Sequence, residues 1–335
     1  MDRIPDIQWG KKSHQILNMK FGRLHTFYNP RMSLDPERLI GYTQTPAKPK
    51  LMMDFIQSKG LYEYFLVEED FSPFNREDFY IAHTKEMVDN FFDKGKTSRI
   101  LNIEWSPEYA ESVRYENASL YHAIRYAVQQ PEEVCFSPSA AFHHANPTRG
   151  ALFCAFSGQV IASMKIFYEF GLCGAYIDLD GHYGNSIDNS RDFVKDIDKA
   201  ISPVCGNINI MSSHEKYLEE LRSNLSILGT EITRGRVHYV VFCHGADSHE
   251  WDELASQLTT DEWVECSRIV YSFIKEIESI TQRQIPVIIT LFGGYRRDDY
   301  DSVLSLHTAD LVTCLNILCG RNIEYVPTVT PRKVL

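Results

Sequence analysis

No run of 18 uncharged apolar residues occurs anywhere in this 335-residue sequence, so no transmembrane helix and no membrane partner are expected. The opening Met1-Asp-Arg-Ile-Pro-Asp6 lacks the apolar core of a secretory signal, and a cytoplasmic location is the expectation. There is no CxxC. The eight cysteines are scattered, several inside apolar runs, which argues for reduced, mostly buried thiols and against a disulfide framework or a thiolate zinc knuckle. Basic residues are outnumbered, 34 against 45 acidic, and no basic block offsets the formal charge of −11. Nucleic acid is therefore not an expected partner, since such binding needs clustered Lys and Arg against phosphates. No composition break, linker or internal repeat marks a second domain. What remains is 44% hydrophobic and 24% charged, the composition of an ordinary globular protein with a substantial core. The sequence carries no signal for or against an oligomer.

The most informative stretch is Ala175-Tyr-Ile-Asp178-Leu-Asp180-Gly-His182-Tyr-Gly184-Asn185. Its apolar start suits the end of a buried parallel strand, and its polar run would lie at the carboxyl edge of a sheet, where open α/β folds bind ligands. Asp180 and His182 are two apart, so in extended backbone both side chains point the same way, with Asp178 on the same face. Carboxylate and imidazole suit a first-row divalent ion, but a catalytic zinc needs a third ligand from elsewhere. Taken alone, the stretch also fits an acidic turn holding a satisfied histidine.

Two further segments repeat this arrangement. Val237–Cys243 is strand-like and ends in His244-Gly-Ala-Asp247-Ser-His249, and Ile285–Phe292 ends in Gly293-Gly294-Tyr295. Helical spacing predicts helices from Lys50 to Gly60, Glu77 to Phe92, Ser112 to Gln129, Ala151 to Phe170, Glu215 to Leu228, Asp261 to Ile280 and Ser302 to Leu318. A short strand is expected at Asn207–Ser213 and an edge strand at Ile323–Val326, with Asn185–Ala200 a polar insertion. Strands delivering polar residues at their carboxyl ends, with helices between, predict an α/β fold with one doubly covered, mostly parallel sheet. The pair His143-His144 lies in a loop, where imidazoles can move protons near neutral pH.

Taken in order, His143-His144-Ala145, Asp178-Leu-Asp180-Gly-His182-Tyr-Gly-Asn185, Gly245-Ala-Asp247 and Gly293-Gly-Tyr295 resemble the motifs of the metal-dependent histone deacetylase family. That family includes the bacterial acetoin-utilisation proteins and acetylpolyamine amidohydrolases, on the arginase/deacetylase fold. The resemblance implies one deacetylase-like catalytic domain over residues 1–335, with a motif-bearing core over 138–318, while Pro30, Pro36, Pro46 and Pro49 make residues 1–50 an irregular docked arm with one short strand. It implies a hydrolase of N-acyl amides, acting on acetyl-lysine or a small acetylated amine. Asp180, His182 and Asp247 would hold one Zn²⁺, or Fe²⁺ in its place. His144 would be the general base and acid, His143 its charged neighbour oriented by Asp178, and Asn185 would face His144. Tyr295 would stabilise the oxyanion on the Gly293-Gly294 turn. Asp178, Asp180, His182, Ser212 and Ser213 would form a K⁺ site.

The chain departs from the family in its substrate tunnel. Phe153 matches the aromatic on one wall, but the PGTG loop that supplies the opposite aromatic is not found. That side of the mouth would be open or walled by Asn185–Ala200. Leu254, seven after Asp247, occupies the position where the polyamine-selective branch has a glutamate, and Glu253 replaces the usual proline. His244, His249 and His307 are expected to support the site and not to ligate metal. The alternatives are a two-manganese ureohydrolase, disfavoured because no DxD follows the second ligand strand, and a non-catalytic binder of acylated ligands.

Overall fold

Seven short strands lie side by side in one direction: β1 (Leu24–Phe27), β2 (Phe65–Glu68), β3 (Val134–Ser137), β4 (Gly174–Asp178), β5 (Asn207–Asn209), β6 (Tyr239–His244) and β7 (Val287–Leu291). Their order across the sheet is β2-β1-β3-β7-β6-β4-β5, and every neighbouring pair is parallel. This comes from a computed structural model that describes residues 19–39, 43–94, 103–140 and 142–332. Residues 1–18 of the expected arm lie outside the described residues.

Each parallel pair requires a crossover, and helices supply them. They are α1 (Lys48–Ser58), α2 (Arg76–Phe79), α3 (Lys85–Lys94), α4 (Pro107–Gln129), α5 (Gly158–Phe170), α6 (Ser186–Ser190), α7 (Ile197–Ala200), α8 (His214–Thr233), α9 (Thr260–Thr281) and α10 (Tyr300–Ile317). β3, β4, β6 and β7 are buried at every residue, as strands covered on both faces must be. The chain is thus a single α/β domain with a parallel sheet flanked by helices. All eight cysteines are buried and free, and no helix among the described residues is long and apolar enough to cross a membrane.

The differences from the expected elements have local causes. α4 begins five residues early because Ser106 caps it, accepting the Tyr109 N–H at 3.0 Å, with Pro107 in the first turn, where a missing N–H costs nothing. The helix expected over Glu77–Phe92 breaks into α2 and α3 so that His83 can turn inward. Its Nδ1 donates to the Asn146 carbonyl (2.9 Å) and its Nε2 accepts the Ser157 N–H (2.9 Å), while the Thr84 N–H donates to Pro147 O (2.8 Å). Burial lowers the His83 pKa to about 4, which keeps the ring neutral for both bonds. This bolts down the loop that carries His143 and His144.

Residues Ala151–Ser157 are not helical. Ala151 and Cys154 close a tight turn before α5 starts at Gly158. The Asn185–Ala200 segment is no loose insertion, since Ile187, Val194 and Ile197 are buried and α6 and α7 both pack on α5. Ile323–Val326 pairs with no strand among the described residues. Instead the tail is tied to α10, with the Ile323 N–H donating to Asn316 Oδ1 and Tyr325 hydrogen-bonded to Ser305. β2 and β3 were not anticipated, because four residues are too few to show a period.

The inward face of α4 carries Glu116, whose Oε1 is buried without a partner. Burial raises its pKa to about 8, against the opposing charge of Lys48. A carboxyl raised in the fold keeps its proton where the unfolded chain has lost it, so its contribution to stability declines as pH rises from about 4.5 to about 8. Glu116→Gln should therefore gain in melting temperature relative to wild type as pH increases across that window, measured by calorimetry at pH 5, 6.5 and 8.

Candidate active site

Four adjacent strands, β3, β7, β6 and β4, carry the candidate residues on the segments that follow their carboxyl ends. Asp180 and His182 come after β4, Asp247 after β6, the Gly293-Gly294-Tyr295 turn after β7, and the histidine pair after β3. One ligand atom each from Asp180, His182 and Asp247 lies within 4.8 Å of the other two. His182 Nδ1 is 2.8 Å from Asp247 Oδ2 and 3.2 Å from Asp180 Oδ1. The two carboxylates are buried, whereas the His182 side chain is 33% exposed and marks the open side.

Backbone donors orient both carboxylates. The Gly293 N–H donates to Asp180 Oδ2 (2.7 Å) and the Gly181 N–H to Asp247 Oδ1 (3.0 Å), leaving Asp180 Oδ1 and Asp247 Oδ2 turned toward His182. Burial and the neighbouring charge of Asp180 raise Asp247 to about 7. Asp180 is held below the usual carboxylate range by His143 and His182 despite its burial. His182 is pushed up to about 11, mainly by its hydrogen bonds to Asp180 and Asp247. Two apposed buried carboxylates need positive charge between them. Two oxygens and one imidazole nitrogen with an open fourth side are a donor set that suits Zn²⁺.

The histidine pair lies against this cluster with ring centroids 4.0 Å apart. His143 Nδ1 is 2.9 Å from Asp178 Oδ2, and its Nε2 is 3.7 Å from Asp180 Oδ1. Burial works against charge on His143, but Asp180 and Asp178 outweigh it and raise the pKa to about 9. His144 Nδ1 faces Asn185 Oδ1 at 3.2 Å, and burial together with the charge of His143 lowers it to about 4. Tyr295 stands on the other side, its ring 6.3 Å from His182 and 5.4 Å from Phe153.

The Gly-Gly turn is dictated by space. A Cβ on Gly293 would lie 2.3 Å from Asp247 Cγ, and Gly294 adopts φ +128°, where a Cβ would also meet Val303. Phe153 is presented by the Ala151–Cys154 turn, in which Leu152 and Phe153 have φ of 44° and 67°. Each non-glycine residue in that region costs about 1–2 kcal/mol.

The Histone deacetylase domain family matches residues 42–217, just over half of the sequence. The chain belongs to the histone deacetylase family. Among solved structures, the crystal structure of the HDA15 HD domain is similar to this chain at 15% identity and a TM-score of 0.65, with 92% of each chain covered. At that identity the likeness shows the fold. No curated protein matches the chain. The matched span of this histone deacetylase relative holds His143, His144, Asp180 and His182, whereas Asp247 and Tyr295 lie beyond it and reach the cluster through β6 and β7.

The remaining candidates divide by position. Leu254 is 38% exposed, and its N–H is held by Asp252 Oδ1 at 2.9 Å. The Ser212 hydroxyl donates to Glu220 Oε2 (2.7 Å) and Ser213 is exposed at the head of α8, so these hydroxyls lend the expected K⁺ site no support. His244 stacks on Trp263 at 3.7 Å, and the Trp263 indole N–H donates to Gly245 O at 3.0 Å, which steadies the approach to Asp247. His249 accepts the Trp251 N–H and bonds Thr260, and His307 is buried.

Two supporting residues escaped the sequence reading. Lys48, fully buried at the start of α1, donates to the carbonyls of Phe292 and Gly293, the latter at 3.0 Å. Burial lowers its pKa to about 8, opposed by the carboxylates of Asp247, Asp180 and Asp252. Asp252 accepts the Tyr295 N–H at 2.7 Å. The Asp-Glu run after Asp247 was a signal for the second, but nothing in Pro46-Ala-Lys48-Pro signalled a buried ammonium.

Lys48→Met should destabilise the fold by about 2–4 kcal/mol in urea unfolding, because it strands two buried carbonyls. Gly293→Ala should weaken zinc affinity at least about 10-fold by displacing Asp247, read by competition with a chromophoric chelator.

Proposed function

We propose that the chain is a zinc-dependent deacylase that hydrolyses an N-acyl amide, in the first place N-acetyl, such as acetyl-lysine or a small acetylated amine. The observation that carries this reading is the convergence of Asp180, His182 and Asp247 within 4.8 Å, flanked by His143, His144 and Tyr295. Asp180, His182 and Asp247 would hold the ion, which when bound supplies Lewis-acid polarisation of an amide carbonyl and acidifies water.

The protein's own groups do the rest. With Nδ1 donating to Asn185 Oδ1, His144 keeps Nε2 unprotonated, and its lowered pKa leaves it neutral at pH 7. That nitrogen takes a proton from the attacking water and returns it to the amine as the C–N bond breaks, giving a carboxylate and a free amine. His143, hydrogen-bonded to Asp178, carries positive charge beside the forming oxyanion. Tyr295 donates a hydrogen bond from its phenol to that oxygen. Phe153 lines the wall against Tyr295 and excludes water from the acyl group.

A ureohydrolase would need a second metal group, and among the described residues one three-ligand group is found.

Acetate release from N-acetyl-lysine peptides and small acetylated amines, with and without chelator, tests the reading; activity indifferent to metal removal would contradict it. Tyr295→Phe should lower kcat by roughly 10²–10³-fold while zinc content, measured by elemental analysis, stays at one per chain. A non-catalytic binder would be unaffected in ligand affinity and would show no turnover to lose.

A further inference from the structure

The Ala151–Cys154 turn is closed by two hydrogen bonds, Cys154 N–H to Ala151 O (2.8 Å) and Ala151 N–H to Cys154 O (3.0 Å). Both central residues are left-handed, a geometry that favours Asn-Gly and disfavours side chains such as those of leucine and phenylalanine. For Phe153 the reason is visible, since its buried ring faces Tyr295 at 5.4 Å. For Leu152 it is not, because the side chain is 48% exposed and gains little burial from its strained position.

The turn that presents Phe153 fixes the Leu152 backbone, but the fold does not bury the leucine side chain, and a side chain kept there at a cost suggests a ligand that uses it. Two other large apolar side chains are exposed next to residues of the site. Tyr183, also 48% exposed, directly follows His182, and its hydroxyl donates to Asp188 Oδ2 at 2.7 Å, which fixes the ring. Leu254 follows Asp252 by two and is held by it through its N–H. Scattered exposed apolar residues are normal, but here each stands within two positions in sequence of a residue of the site, Phe153, His182 and Asp252 in turn.

We propose that Leu152 is a specificity-determining residue, an apolar lip that contacts the group flanking the acylated amine. The preferred substrates are then N-acyl amines with a bulky apolar substituent beside the stem, in preference to those with a small neighbour. This rests on the deacylase reading for the identity of the pocket, and its test separates the two.

Two peptides serve as probes, acetyl-lysine flanked by leucines and acetyl-lysine flanked by glycines, with zinc-loaded wild type, Leu152→Gly and Leu152→Asn. Binding is followed by calorimetry and turnover by acetate release. Wild type should favour the leucine peptide by about 5–10-fold, the scale of one partly buried apolar contact, and both variants should bring the ratio close to 1. Leu152→Asn, which tolerates the left-handed turn, should melt no lower than wild type. A preference for the leucine peptide in binding that Leu152→Gly erases, with no acetate released, upholds the lip and removes the deacylase reading. Acetate release with a preference untouched by either substitution overturns the lip and leaves that reading standing. No preference in wild type, or a lower melting temperature for Leu152→Asn, also overturns it, the latter by assigning Leu152 to the fold.

Discussion

Two aspartates buried face to face, Asp180 and Asp247, set the terms for everything around them. Both carboxylates are buried, and the imidazole of His182 lies against both. Such an arrangement persists only when the outward oxygens are hydrogen-bonded and the inward ones meet positive charge. The backbone N–H groups of Gly181 and Gly293 meet the first condition, and a bound cation would meet the second.

The sheet supplies the rigidity this requires. Because β4, β6 and β7 are parallel neighbours, their carboxyl ends lie together, and a short extension from each brings ligands to one point without a long loop. Lys48 reaches across from α1 to hold the carbonyls at Phe292 and Gly293, so the turn that braces Asp180 is itself braced. His83 does the same for the histidine-pair loop through Asn146 and Ser157. The site is thus held by a second layer of buried polar groups, each satisfied by backbone. The Leu152-Phe153 turn is the exception, a place where the backbone is held at a cost.

Membership in the histone deacetylase family sits beside only 15% identity to a solved structure that covers 92% of the chain. At that distance the likeness lies in the fold, whose strand ends carry the cluster in this chain. Beyond the cluster, Glu253 is ion-paired to Arg297 at 2.7 Å, and Leu152, Tyr183 and Leu254 are exposed.

The sequence by itself determined which residues would stand at the sheet's edge. Unbroken apolar runs at Ala175–Ile177, Val237–Cys243 and Ile285–Phe292 identify buried strands, and the polar residues that follow them can only emerge at their carboxyl ends. The resemblance of the four motifs to the histone deacetylase family implied that the metal ligands, the histidine pair and Tyr295 share one neighbourhood. Only the tertiary structure decided what supports them. Lys48 looks like a surface lysine until the carbonyl of Gly293, 245 residues away, takes its proton-bearing nitrogen. The same holds for the break at His83, for the short β2 and β3, and for Ser212, which turns to Glu220. For Lys48 and His83 the outcome depends on which distant backbone groups lack a partner, and local pattern carries no record of that.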